Sequence, residues 1–252
     1  MAQTFWDHLD ILRTVIVRIA VAILVCGIVA FCLKDSLFAL IFAPKSSDFI
    51  TYRLLQRIGI DLGAYDISLI NTGLTRQFMT HIEVSLYAGV LCASPYILYS
   101  LFGFVAPALY QQERRVAIRA LTSSFVLFWA GVLVSYFLIF PLTFRFLATY
   151  EVSAVVSNMI ALDSYLGTLT SLTLLMGLMF ELPVLCWILA SMGIIDSRLM
   201  CQYRRHAIVA ILITAAVITP SGDAITLFVV ALPIYLLYEL SIGVIRSTVH
   251  RA

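Results

Sequence analysis

Four ionisable side chains stand inside long apolar runs of this sequence: Arg18, Glu83, Glu181 and Glu239. A charge in hydrocarbon is expensive, so such groups face a wet cavity or a partner and mark ion pairs, proton relays or docking contacts. Glu181 is the most demanding of them. It follows Phe180 in the middle of the run from Leu169 to Leu189 and precedes Pro183, which removes a backbone donor and bends a helix. A wet, kinked site beside this carboxyl is expected, with a protonated, internally hydrogen-bonded Glu as the alternative. Arg18 lies near the start of its run and reaches an interface by snorkelling. Glu83, beside His81, and Glu239 lie near the ends of their runs, where interfacial solvation accounts for them.

Outside the runs, two segments carry chemistry. FVAPALYQQERR, from Phe104 to Arg115, sets Phe104, Pro107 and Tyr110 beside Glu113. That is an apolar ledge next to an acid, suited to a cationic ligand segment; the alternative is a surface carboxylate neutralised by Arg114 and Arg115. FWDHLDILR, from Phe5 to Arg13, is an amphipathic lead-in with Asp7 at a helix start, where the dipole alone favours an acid. Enzyme chemistry is not indicated. GxSxG and HExxH are absent, and His8, His81, His206 and His250 sit at run ends or outside them. Cys26, Cys32, Cys92, Cys186 and Cys201 form no CxxC pair, so neither a metal site nor a disulfide framework follows, and no cofactor is implied.

The elements that position these residues are set by composition. The 252 residues are 62% hydrophobic and 12% charged, against about 45–50% and about 25% in soluble domains, and the mean hydropathy is +1.02. Much of the chain is therefore solvated by lipid. Net charge of +2 and scattered Lys and Arg exclude a nucleic-acid binder. Apolar runs near Val15 to Leu33, Phe78 to Ala106, Ala120 to Leu142, Tyr165 to Met192, Ala207 to Ile218 and Ala224 to Val244 predict six helical spans. The first reads as a retained anchor, being longer than a signal-peptide core. Thr219 to Asp223, with Pro220 and Gly222, is a tight turn that forces the last two helices antiparallel. The run from Ala207 is so short that the final hairpin is expected not to cross the full hydrocarbon.

The fold class is all-α and polytopic, a single membrane domain over 1–252. With the N-terminus inside, nine basic residues (Arg13, Arg114, Arg115, Arg119, Arg198, Arg204, Arg205, Arg246 and Arg251) lie in cytoplasmic connections. Six (Lys34, Lys45, Arg53, Arg57, Arg76 and Arg145) lie opposite, which favours N-in, C-in. Leu37, Leu40 and Ile41 recur at helical spacing before Pro44, which predicts a short interfacial helix or a packed loop cap. Pro95 and Pro233 predict bends in the second and sixth spans.

Seven blocks in order carry a resemblance: HLDILR (His8 to Arg13), FAP (Phe42 to Pro44), FVAPALYQQERR, SYFLIFPLTFRFL (Ser135 to Leu147), FELPV (Phe180 to Val184), ITPSGD (Ile218 to Asp223) and LPIYLLYE (Leu232 to Glu239). Through them almost the whole chain resembles the TatC subunit of the twin-arginine protein translocase. The resemblance implies a cupped bundle of six helices, both termini cytoplasmic, in the bacterial cytoplasmic (inner) membrane. It also implies a receptor for paired-arginine signal peptides of folded precursors, which recruits TatA/TatB-type single-span partners, self-associates, and works on the proton motive force.

Carried over by position, Glu113 implies direct pairing with signal arginines, with Phe104, Pro107, Leu109, Tyr110 and Arg114 completing the docking surface and Arg13 closing the N-terminal block. The family shows HLxELR there, with its acid one residue later; here Asp10 precedes Ile11, a rotation of about 100° on a helix. Asp10 is the candidate for the second arginine contact. Glu181 matches a polar position implicated in partner contact. Pro44, Pro183, Pro220, Asp223 and Pro233 are structural positions, Asp223 as a cap of the sixth span; Leu227 stands where the family often has Gln. The alternative function is a proton-coupled small-solute transporter with Glu181 as relay, for which no inverted repeat is evident.

Overall fold

The computed structural model of the protein describes residues 5–46, 48–59, 68–105, 114–150, 159–219 and 222–249, with backbone alone at 5–8, 104–105, 114–119 and 248–249. These residues are mostly helical. In chain order they form α1 (Phe5–Cys32), α2 (Lys34–Phe42), α3 (Ile50–Arg57), β1 (Leu69–Ile70), α4 (Arg76–Val105) and α5 (Arg114–Val134). A π-helical turn (Ser135–Ile139) then leads to α6 (Phe140–Thr149), β2 (Ile160–Ala161), α7 (Leu162–Met179), α8 (Leu182–Ser191), α9 (Ser197–Gln202), α10 (Arg204–Ile218) and α11 (Ala224–Val249).

Five stretches are long and apolar enough to cross a membrane: Leu9–Cys32, Arg76–Gly103, Ala120–Thr149, Leu162–Ser191 and Ala224–Ser247. The remaining apolar run is α10, a helix of 15 residues, or about 22 Å against roughly 30 Å of hydrocarbon. Shortness belongs to α10 and not to the whole final hairpin, because α11 continues for 26 residues through Pro233. Pro95 likewise lies inside α4 without ending it. Proline interrupts the helical ladder elsewhere, at the π-turn before Pro141 and at the break before Pro183.

Two compact units make up the chain, Met1–Phe38 with Gln77–Val126, and Ala39–Arg76 with Leu127–Ala252. In the first, α1 and α4 approach backbone to backbone. A Cβ at Gly89 would lie 2.6 Å from the Ile23 carbonyl oxygen and 2.9 Å from the Gly27 Cα, so hydrogen alone fits. Small residues of this kind let membrane helices gain dispersion contact where no hydrophobic force joins them. His81 stacks on Phe31 with ring centroids 4.0 Å apart.

In the second unit an aromatic core holds the connections in place. Tyr165 packs edge-on to Phe140 and Phe144, at 5.2 and 4.9 Å, and its hydroxyl donates to the Ile41 carbonyl at 2.9 Å. Helix α2 thus exists as the spacing of Leu37 and Ile41 predicts, with Ile41 buried, whereas the Leu40 side chain is exposed. Pro44 is buried in the 3-10 turn Ala43–Lys45 that follows.

Helix α3 is docked by hydrogen bonds. Pro141 has no N–H for the carbonyl of Phe137, four residues back, and the Thr51 hydroxyl donates to that carbonyl. Tyr52, fully buried, donates to the Pro141 carbonyl at 3.0 Å, and the Arg145 guanidinium lies 5.4 Å above its ring. Strands β1 and β2 pair in parallel, Leu69 with Ile160 and Ile70 with Ala161, and Arg76 and Asp163 close an ion pair at 2.5 Å beside them.

Candidate functional site

The deepest of the four intramembrane ionisable residues sits at a break in its helix. Pro183 offers no N–H to Met179, and α7 ends there. The Glu181 N–H turns to Leu178 at 3.1 Å, a tightened last turn, and its carbonyl receives the N–H groups of Val184 and Leu185, at 3.1 and 3.0 Å, to start α8. Glu181 is 8% exposed and Pro183 is buried with it. The interruption predicted at this position is present. One turn earlier α5 crosses α7 closely: a Cβ at Gly131 would meet the Met176 carbonyl oxygen at 2.7 Å, and one at Gly177 would meet the Phe128 ring at 2.9 Å. The glycines therefore set the helix break against a tight crossing, where a carboxylate is removed from solvent.

On α1, Asp10 and Arg13 are both exposed. The Asp10 carbonyl accepts the Thr14 hydroxyl at 2.9 Å, and half-buried Leu12, Val15 and Ile19 mark the opposite, packed face of the helix. Ile11 is exposed at 40%, so this turn presents a carboxylate and a guanidinium together with an apolar side chain. Phe104 is the last but one residue of α4, and Arg114 begins α5. Glu113, Pro107, Leu109, Tyr110 and Pro220 lie outside the described residues, as do the side chains of Phe104 and Arg114.

Asp223 caps α11, its Oδ1 accepting the Thr226 N–H at 2.7 Å after Gly222 takes φ of +60°. Glu239 departs from the simple interfacial solvation expected of it. Its carboxylate binds Arg204 Nη2 at 2.8 Å and the Tyr235 hydroxyl at 3.1 Å, which pins the start of α10 to the far half of α11 and makes the pair antiparallel. The Tyr235 and Glu239 spacing of four residues on one helix is the sequence signal for half of this network. Helix α9, which the sequence reading does not include, is capped by the Asp196 side chain on the Ser197 N–H at 2.6 Å. Arg18 and Glu83 are exposed on α1 and α4.

Residues 7–233 match the family described as Sec-independent protein translocase protein (TatC). Relatives include the Sec-independent protein translocase protein TatC of Carboxydothermus hydrogenoformans, 30% identical over 97% of this chain and 93% of its own length. That of Deinococcus radiodurans is 34% identical over 98% and 86%. Among solved structures, a crystal structure of a twin arginine translocase receptor, TatC, in DDM superposes with a TM-score of 0.79 at 29% identity, covering 94% of this chain and 99% of the other.

Proposed function

The chain belongs to the Sec-independent protein translocase protein (TatC) family, and from that membership we propose that it is the receptor core of a twin-arginine translocase in the bacterial cytoplasmic membrane. In this reading the whole chain is one membrane domain of six spans, α10 being the fifth despite its length, with both termini inside. The basic residues counted along the connections support that orientation. The receptor binds paired-arginine signal peptides of folded precursors and recruits TatA/TatB-type single-span subunits and further copies of itself. Transport runs on the proton motive force, without catalysis by this chain.

The observation that carries the reading is the FVAPALYQQERR block inside a family match that spans residues 7–233. Glu113 there pairs with the signal arginines on a ledge made by Phe104, Pro107, Leu109, Tyr110 and Arg114, and the exposed Asp10 and Arg13 of α1 complete the surface. Glu181 serves partner contact at the α7–α8 break. Relatives named as protein translocase components leave the small-solute transporter without a specific observation in its favour.

Photocrosslinking from positions 113 and 10 in native membranes tests this, using one precursor with paired arginines and one with paired lysines. Crosslinks to the arginine form alone are expected, and Glu113→Ala should impair export at native expression, since loss of one partner of a charge pair costs about 2–5 kcal/mol when buried and less at a rim. Normal export by Glu113→Ala would overturn the site assignment.

A further inference from the structure

Four helix ends of the second unit are drawn together where its membrane-crossing stretches stop. Met200 of α9 is buried with Ala190, Ile242 and Ile245, and the Tyr238 hydroxyl donates to its carbonyl at 2.8 Å. The same region engages both local acids in hydrogen bonds. Glu239 is held by Arg204 and Tyr235, and Asp196 caps α9. Arg198, Arg205 and Arg246 stay exposed, and none of them enters an ion pair among the described residues. Beside them Leu199 and Tyr203 are exposed at 46% and 48%.

Exposed guanidinium groups thus stand beside outward apolar side chains at or past the ends of the Leu162–Ser191 and Ala224–Ser247 stretches, which is where headgroups lie when such stretches cross a bilayer. We infer that this end of the second unit is a binding site for an anionic phospholipid headgroup. Arg198, Arg205 and Arg246 hold the phosphate oxygens, for which the planar, permanently charged guanidinium is suited. Tyr203 and Leu199 enter the acyl boundary, where an amphipathic ring is stable. The attraction follows from the negative surface potential of anionic lipid, worth about a fivefold preference for each arginine near the surface. The site stands whichever leaflet it meets, and its readout is lipid rather than export.

The test uses the full chain in neutral detergent, titrated with fluorescent phosphatidylglycerol and, separately, phosphatidylcholine. The protein is expected to retain phosphatidylglycerol preferentially, the more weakly as salt rises. The triple variant R198Q/R205Q/R246Q should lose most of that preference, while R198K/R205K/R246K, which keeps the charge, and R57Q, a control elsewhere in the chain, should keep it. Equal retention of both lipids by the unaltered chain would overturn the proposal, as would an undiminished preference in the glutamine triple. Displacement of the lipid by inorganic phosphate at like concentration would also overturn it, by making this a site for free anions.

Discussion

Gly89→Ala adds one methyl group where α1 and α4 meet, and its cost follows from what that methyl touches. The new Cβ would lie 2.6 Å from the Ile23 carbonyl oxygen, 2.8 Å from the Gly27 nitrogen and 2.9 Å from the Gly27 Cα. All three are backbone atoms of α1, so no rotamer change relieves the clash, and the helices must separate by about 0.8 Å to restore ordinary contact. Overpacking of this kind costs about 1–3 kcal/mol, offset in part by the gain of about 0.5–1 kcal/mol from replacing glycine within a helix. The net loss, up to about 2.5 kcal/mol, corresponds to a fall of up to about 10 °C in Tm for a chain of this size. Thermal unfolding of the purified protein in detergent measures it, with Gly103→Ala as control, since a Cβ on Gly103 in the same helix meets nothing within 4 Å among the described residues. Helix α1 carries Asp10 and α4 leads into the connection holding Glu113, so crosslinking of a paired-arginine precursor from position 10 should fall in parallel. A Gly89→Ala protein as stable as Gly103→Ala would refute the close approach.

Thr51→Val removes the hydroxyl that serves the Phe137 carbonyl, leaving a part-buried acceptor unmade at a cost of about 1 kcal/mol; Thr51→Ser should keep most of the stability, and equal melting of the two variants would sink the argument. Arg76 and Asp163 are 49% and 30% exposed at their side chains, so a double-mutant cycle to alanine should give a coupling of only about 0.2–1 kcal/mol, weakened by salt. A coupling several times larger would mean that the pair is far less hydrated than its exposure indicates.

The long apolar runs, the helix before Pro44, the interruption at Glu181 and the Asp223 cap were all legible in the sequence, because each rests on residues close together in the chain. Helix α3 was not. At eight residues it is too short to be stable alone, and what fixes it is a pair of hydroxyls reaching the carbonyls of Phe137 and Pro141. The parallel pair β1–β2 has two residues a side, below any periodic signal. Glu239 read as a solvated end residue because its partner Arg204 lies on the preceding helix. For the candidate site, exposure of Asp10 follows from its helical offset against Leu12, Val15 and Ile19, whereas the role of Glu113 rests on its block alone.

The hydrogen bonds and ion pair that hold residues 39–76 in the second unit reach across 86, 87, 89 and 96 residues, and in one case 124. A ribosome adding about 5–20 residues each second takes on the order of ten seconds to supply those partners. Until then Thr51, Tyr52 and Arg76 have emerged without the carbonyls and carboxylate that receive them, and β1 without the strand it pairs with. Assembly of this part of the protein is therefore timed by synthesis of α6 and α7, and during that interval the nascent segment is open to proteases and to any chaperone that covers it.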